Sequence, residues 1–207
     1  MGILRSMKIL LASNNGHKRE EFSRTLAPHT ITLPGELGIT FDFEEDKETF
    51  TENALGKALA LAAIAPAGYM VLADDSGLCV DALGGGPGVR TARYGQQASG
   101  SLLDTGERNQ LLLKNLSHLS KREERRAHFV CALALVVAPH RIYTVCESVD
   151  GFIALEASGS GGFGYDPIFI VEEVGAPMAT LPEGEKDRYS HRGVASRRLI
   201  TLLKEFE

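Results

Sequence analysis

The 207-residue sequence has few of the residues that define disulfide-rich and metal-binding proteins. It contains no tryptophan and only three cysteines, and Cys79, Cys131 and Cys146 show neither a CxxC nor a metal-ligand spacing. An odd number of cysteines, two of them within apolar runs, favours reduced thiols in a core over a disulfide framework. We therefore expect a cytoplasmic protein without a cysteine-based metal centre.

Long apolar runs and an excess of basic charge are also missing. No apolar stretch approaches membrane-spanning length, and residues 1–7 contain Arg5 but lack the apolar region of a secretion signal. The formal net charge is −5, which gives no support for binding a nucleic-acid polymer. We expect neither a membrane nor a nucleic-acid partner. Met7 is an alternative natural start, which would make residues 1–6 an extension.

The pattern of apolar residues predicts alternating helices and strands. Strands are expected at residues 8–12, 69–73, 128–137 and 142–149. Helices are expected at residues 18–26, from 49 to about 65, at 101–119 and from Ser190 onward. A hairpin around Pro139-His140 adds antiparallel pairing, so we predict a mixed-sheet α/β fold. The charged segment Lys121–Arg126 is interpreted as a solvated connector.

Two adjacent carboxylates, Asp74 and Asp75, follow the apolar segment from Tyr69 to Ala73. We predict that the strand ends at this pair, where open α/β sheets place ligands and catalytic groups. Neighbouring acids repel each other and are costly to bury without a cation or hydrogen-bond donor. The pair therefore indicates a divalent metal site or an enzymatic carboxylate.

Three further segments offer candidate ligand groups, each with a structural alternative. Ser13, Asn15 and Lys18, at a strand–loop–helix junction, could bind phosphate or cap the helix. Glu44, Glu45 and Glu48 could supply oxygen ligands to Mg²⁺ or form an acidic surface loop. Lys186, His191 and Arg192 could bind carbonyl or phosphate oxygens, or could be solvent-exposed cations near a helix start.

The run from Gly159 to Gly164 matches the dinucleotide-binding fingerprint only formally. That motif opens a helix, whereas this run leads into Tyr165-Asp166-Pro167 and a β-like segment, so we reject it. One interpretation is a ligand-binding loop with Phe163 and Tyr165 stacking on a flat ring. The other is a tight turn whose aromatic side chains belong to the core, and the sequence favours neither.

Taken together, five segments of this chain resemble the inosine triphosphate pyrophosphatase family, also called Ham1-like. In chain order they are LASNNGHKREEF (Leu11–Phe22), FEEDKETFTENALGKA (Phe43–Ala58), LADDSGLCVDALGGGPGVRTARY (Leu72–Tyr94), GSGGFGYDPIF (Gly159–Phe169) and SHRG (Ser190–Gly193). The resemblance implies a single domain over residues 1–207 with an elongated α/β fold. Its long, curved mixed sheet and flanking helices would form two lobes around a central cleft.

The resemblance also implies an activity. It is hydrolysis of ITP, dITP and XTP to the monophosphate and pyrophosphate, by a Mg²⁺-dependent homodimer that removes deaminated purines from the nucleotide pool. Two alternatives stay open: a Maf-like pyrophosphatase acting on other modified nucleotides, and a non-catalytic nucleotide-binding module.

Residue roles follow from the same resemblance. Asp75 would be the catalytic carboxylate and a metal ligand, together with Glu44 or Glu45, while Asp74 would face the other side and give support. The substrate-binding residues would be Ser13, Asn14, Asn15, Gly16, His17, Lys18, Ser76, Phe163, Gly164, Tyr165, Asp166, Lys186, His191 and Arg192. Asn14 departs from the family pattern, because family members often carry glycine at this position.

Overall fold

The computed structural model describes residues 6–96 and 100–204, so predictions on residues 1–5 lie outside it. The strands are β1 (Lys8–Leu11), β2 (Thr30–Thr32), β3 (Met70–Val80), β4 (Arg126–Ala138), β5 (Arg141–Ile153), β6 (Phe169–Val171) and β7 (Ala176–Pro177). The helices are α1 (Gly16–Thr25), α2 (Phe50–Ala62), α3 (Thr105–Asn115), α4 (Glu183–Tyr189) and α5 (His191–Leu203). In the described part of the chain, no helix is long and apolar enough to cross a membrane.

The strands form one sheet in the order β2-β1-β3-β4-β5-β6-β7. Strands β1, β2 and β3 pair in parallel, and β5, β6 and β7 pair antiparallel. Only Pro139 and His140 separate β4 from β5, as expected for the hairpin. The mixed α/β fold class is therefore confirmed, while the elongated outline, the curvature, the two lobes and the central cleft stay predictions.

The chain divides into two compact units. The first contains residues up to Asp75, Cys131–Glu147 and the residues from Arg192 onward. The second contains Ser76–Val130 and Ser148–His191. Strands β3, β4 and β5 each continue from one unit into the other.

The first unit packs helices on both faces of its strands. Side chains of Ile9 and Leu11 in β1 and Leu72 in β3 pack with residues of α1 and α5. The alternate residues Val71 and Ala73 of β3 pack with α2 instead. Because strand side chains alternate between faces, Asp74 continues the α1–α5 side and Asp75 continues the α2 side.

The prediction that the strand ends at the acid pair is wrong. Strand β3 runs on from Met70 to Val80, so Asp74 and Asp75 lie in its middle. The neighbour β1 is the strand that ends here, since its register with β3 stops at Leu11 opposite Leu72. The acid pair thus lies just beyond the carboxyl end of β1, where the Ser13–Lys18 segment leaves the sheet.

Two predicted helices are longer than the observed ones. Helix α3 begins at Thr105 because Asp104 and Glu107 form a reciprocal capping box, and it ends at Asn115 rather than residue 119. Helix α2 has the predicted N-cap, Thr49, but ends at Ala62 rather than about residue 65. The last helix was predicted from Ser190 onward, and residues 205–207 of that segment lie outside the described residues.

The solvated connector also contains a buried residue, which corrects that interpretation. Arg125 is only 2% exposed and donates to the backbone oxygens of Leu116, Leu119, Ile153 and Ala154. Its guanidinium thereby satisfies carbonyls just past the end of α3 and at the end of β5. Burial lowers the pKa of Arg125 from its usual value.

Candidate active site

The loop after β1 is ordered by its own polar side chains. Asn15 is the N-cap of α1, and its Oδ1 accepts from the backbone N–H groups of His17 and Lys18 at 2.9 and 3.4 Å. Ser13 Oγ accepts from the Asn15 N–H at 3.1 Å, and Asn14 donates to the Phe41 oxygen at 2.9 Å. The capping alternative thus holds in this structure, and the loop enters α1 at the positive end of the helix.

Lys18 points from α1 to the first residue of the acid pair. Its Nζ lies 3.1 Å from Asp74 Oδ1 and 3.4 Å from the Asp74 backbone oxygen. On the opposite oxygen, Arg192 Nε donates to Asp74 Oδ2 at 2.6 Å. Asp74 therefore supports two cations on the α1–α5 side of the strand, in keeping with the supporting role expected for it.

Arg192 is held between two carboxylates. Besides Asp74 it contacts Glu21 of α1 through Nη1, and all three residues are at least 95% buried. Burial disfavours the charged guanidinium, but Asp74 and Glu21 outweigh it and raise the pKa of Arg192 above its usual value. The family resemblance implies that Arg192 binds substrate, whereas in the structure its guanidinium contacts Asp74 and Glu21.

Asp75 occupies the other face of β3, beside α2. Its Oδ2 accepts from Asn53 Nδ2 at 2.9 Å. Burial and the negative charge of Glu45 raise the pKa of Asp75 to about 6, against the opposing effects of Asn53, Lys57 and Lys18. A carboxyl that changes protonation near neutral pH is typical of a group that handles protons.

Asn53 and Lys57 are site residues that sequence analysis missed. They lie four positions apart on α2, next to Ala54 and Ala58 of the buried stripe, and both are buried. Lys57 Nζ forms an ion pair with Glu45. Polar residues beside an apolar stripe normally indicate solvent exposure, so no local pattern pointed to these contacts.

The carboxylates around Asp75 have the chemistry to hold a divalent cation. Within residues 6–96 and 100–204, no group of three or more His, Cys, Asp or Glu side chains is placed to hold a metal. Mg²⁺ needs only one or two protein carboxylates, however, because it keeps several waters. Asp75 and half-buried Glu45 repel each other electrostatically, and a cation between them would remove that cost. Glu44 is exposed.

In the second unit, the Phe163–Asp166 segment is fixed by several hydrogen bonds. Asp166 Oδ2 accepts from the Phe163 N–H at 2.8 Å and from Lys186 Nζ at 2.8 Å. Lys186 Nζ also lies 5.0 Å from the centre of the Phe163 ring. Asp166 and Lys186 are both buried, so their charges compensate each other inside the unit.

The two aromatic residues of this segment differ in environment. Tyr165 is buried, and its hydroxyl donates to the Thr91 oxygen at 3.0 Å. Burial raises the pKa of Tyr165 to about 12. Phe163 is half-buried. Tyr165 thus matches the core-aromatic alternative, and Phe163 is the aromatic side chain with a partly exposed surface.

The remaining predicted residues are placed as follows. Ser76 is a half-buried residue of β3 at the start of the second unit. His191 is buried and stacks on Phe129, with ring centres 4.5 Å apart and an interplanar angle of 8°. Gly16 and His17 are exposed at the start of α1.

Gly162 is required by the ion pair next to it. Its φ is +72°, and a Cβ there would overlap Asp166 Oδ2 and lie 2.8 Å from Lys186 Nζ. We expect Gly162→Ala to lower the free energy of unfolding by at least about 2 kcal/mol, because it combines a left-handed backbone with displacement of a buried ion pair. Denaturant unfolding measures this effect.

Gly175→Ala is the matched control, since Gly175 has φ +74° but open space around its Cβ position. It should cost only about 1 kcal/mol, the penalty of the left-handed backbone alone. Equal costs in the two variants would show that the clash at Gly162 has no energetic weight.

The site residues form two groups, one around Asp74 and Asp75 and one around the Phe163–Asp166 segment. Together with the fold they define an α/β protein whose buried carboxylates are paired with cations and whose first helix begins at a site suited to anions. A protein-family model described as the Ham1 family matches residues 9–202. The chain therefore belongs to the Ham1 family.

Individual relatives agree with this assignment. A protein of Treponema denticola named dITP/XTP pyrophosphatase is 47% identical over 189 residues, which are 91% of this chain and 94% of the relative. The solved structure of the Staphylococcus aureus Ham1 protein matches with a TM-score of 0.81 and 36% identity, covering 97% of this chain and 100% of the other. A HAM1 protein from Coxiella burnetii matches with a TM-score of 0.80 and 37% identity, covering 96% and 99%.

Proposed function

We propose that this chain hydrolyses the triphosphates of non-standard purines, namely ITP, dITP and XTP, to the monophosphate and pyrophosphate. The name of the Treponema denticola relative, dITP/XTP pyrophosphatase, supports this substrate class. The structural observation that carries the proposal is Asp75, a buried carboxyl with a pKa of about 6 beside Glu45 and Lys57. The five sequence segments further support Mg²⁺ as the metal and a cytoplasmic homodimer as the working form.

Residues of the first unit would act on the phosphates. Lys18, held by Asp74, places a positive charge at the start of α1, where the helix dipole also favours an anion. Asp75 would position and deprotonate the attacking water, since its pKa lies near the working pH of a cytoplasmic enzyme. Asp75 and Glu45 would hold Mg²⁺, which supplies positive charge against the charge that develops on the triphosphate.

Residues of the second unit would recognise the base. Phe163 offers a flat, partly exposed ring, and Lys186 beside it is a donor. Donors aimed at the 6-oxo group of hypoxanthine or xanthine would meet the 6-amino group of adenine donor against donor. Such a mismatch leaves buried groups without partners, so a site of this kind discriminates strongly.

A substrate panel tests the proposal. Purified protein with Mg²⁺ is given ITP, dITP, XTP, GTP, ATP and modified pyrimidine triphosphates, and the products are identified for each. We expect pyrophosphate and monophosphate, with ITP, dITP and XTP preferred over GTP. Release of orthophosphate, or equal rates on ITP, XTP and GTP, would contradict the proposal. Preference for modified pyrimidine triphosphates would indicate a Maf-like enzyme, and ITP binding without turnover a non-catalytic module.

A further inference from the structure

Asn109 is a buried residue of α3 with one satisfied and one unsatisfied polar atom. It is 6% exposed, and its Nδ2 donates to the backbone oxygen of Gly164 at 3.1 Å. Its Oδ1 is buried and has no hydrogen-bond partner among the described residues. The orientation of the amide is fixed, because the opposite one would bring Oδ1 against the Gly164 oxygen.

The unsatisfied oxygen of Asn109 is a cost to the stability of the fold. A buried acceptor without a partner costs free energy, and native proteins contain few of them. Helix α3 otherwise packs into the second unit through Leu112 and partly buried Leu113. An apolar side chain at position 109 would remove the unsatisfied atom, so the contact with Gly164 is what the amide contributes.

The contact lies within the loop that would recognise the base. Three successive residues are each held by a different element: Gly164 by Asn109, Tyr165 by Thr91 and Asp166 by Lys186. Thr91 Oγ1 in turn accepts from the Leu78 N–H of β3 at 3.0 Å. Gly164 has φ +66°. Because glycine has no Cβ, its backbone is less restricted by steric contacts than that of any other residue. The Asn109 bond therefore fixes the peptide between Gly164 and Tyr165, one residue after Phe163.

We propose that Asn109 is a positioning residue for the Phe163–Asp166 loop and thereby sets how well the site distinguishes hypoxanthine from adenine. The inference rests on the proposed function, because it assigns that loop to the base. Asn109 acts through the loop backbone and need not touch the substrate. Loss of its bond would let the Phe163 ring move relative to the donors beside it. That movement would weaken discrimination between bases more than it would slow the chemistry at Asp75.

Asn109→Leu is the test variant, and Asn109→Ala is a second one in case leucine does not fit. Asn115→Leu is the matched control, because Asn115 lies exposed on the same helix and bonds the Tyr94 hydroxyl at 2.6 Å. Hydrogen–deuterium exchange reports loop anchoring without any activity. The Phe163 amide is a suitable reporter, since it is hydrogen-bonded inside the loop.

In Asn109→Leu we expect an unchanged or higher melting temperature and about tenfold faster exchange of the loop amides. The ratio of kcat/KM for ITP over ATP should fall by about 10-fold or more, mainly through KM for ITP, with kcat less affected. Asn115→Leu should leave exchange and ratio at wild-type values.

Wild-type exchange in the loop of both Asn109 variants would overturn the inference whatever the activity. So would a lower melting temperature with an unchanged kcat/KM ratio, which is the result of a merely structural role. Failure of the proposed function is a separate result: wild-type protein that binds ITP without turnover. In that case the ratio of Kd values for ITP and ATP, measured by calorimetry, replaces the kinetic ratio.

Discussion

Asp75→Asn should lower the rate of pyrophosphate release from ITP by about 10²- to 10⁴-fold, the usual contribution of a positioned general base. The side chains are nearly the same in shape, and an asparagine oxygen can still accept the hydrogen bond from Asn53 Nδ2. The fold should therefore stay intact while the water loses its base. Steady-state kinetics under saturating ITP measure the loss.

The same variant should be more stable than the wild type at neutral and alkaline pH. Asp75 titrates near 6 in the folded protein instead of 3.8, so the folded state holds its proton more tightly than the unfolded state. Below about pH 4 both states are protonated and the group has no effect; between pH 4 and 6 stability is lost as pH rises. By pH 8 the ionised Asp75 carboxylate lowers the free energy of unfolding by about 3 kcal/mol, because its pKa is about two higher in the folded than in the unfolded state.

Urea unfolding with a chelator present checks this pH dependence. Asp75→Asn should exceed the wild type by up to about 3 kcal/mol at pH 8 and match it at pH 3.5. A variant that is less stable than the wild type at pH 8, but still folded and inactive, would mean that the Asp75 carboxylate is stabilised in its charged form. That result would contradict the raised pKa while leaving the catalytic role in place.

Arg192→Met should lower the free energy of unfolding by about 3–5 kcal/mol at pH 7, because it leaves buried Asp74 and Glu21 without their shared cation. Lys18 still pairs with Asp74, but both carboxylates lose the hydrogen bond that Arg192 donates to them. At low pH the carboxyl groups take up protons, so the difference between variant and wild type should shrink. Denaturant unfolding at pH 7 and pH 3.5 measures both values.

Arg198→Met is the matched control on the same helix. The Arg198 side chain is 71% exposed and pairs with Glu147 at 3.0 Å, so its loss should change stability by less than about 1 kcal/mol. If Arg192 served mainly as a donor to substrate, Arg192→Met would instead keep nearly full stability and lose kcat/KM for ITP. The comparison therefore separates structural pairing from substrate binding at this position.

Sequence reasoning located the polar segments but misplaced the end of β3. The apolar run from Tyr69 to Ala73 predicted a strand that stops at the acids, because buried acids are costly. In the folded chain that cost is offset by Lys18 and Arg192 at Asp74 and by Asn53 at Asp75. Two of these partners are 56 and 118 positions away from Asp74, and no local pattern reports them.

The division of the acid pair between two faces was predictable, since strand alternation requires it. Which acid faces which helices was not predictable, because this depends on how the helices pack on β3.

Lys57 and Arg125 show the same limit. A lysine beside an apolar stripe and an arginine in a charged run both indicate solvent exposure, and only tertiary packing supplies Glu45 for one and four backbone carbonyls for the other.

Phosphorus NMR of a reaction of wild-type protein with ITP and Mg²⁺ identifies which phosphate bond is broken and whether Asp75 is needed. We expect one pyrophosphate for each IMP formed, no orthophosphate, and product formation at least about 100-fold slower with Asp75→Asn. Orthophosphate as the product would contradict the proposed reaction, and pyrophosphate at a comparable rate from Asp75→Asn would contradict the role of Asp75.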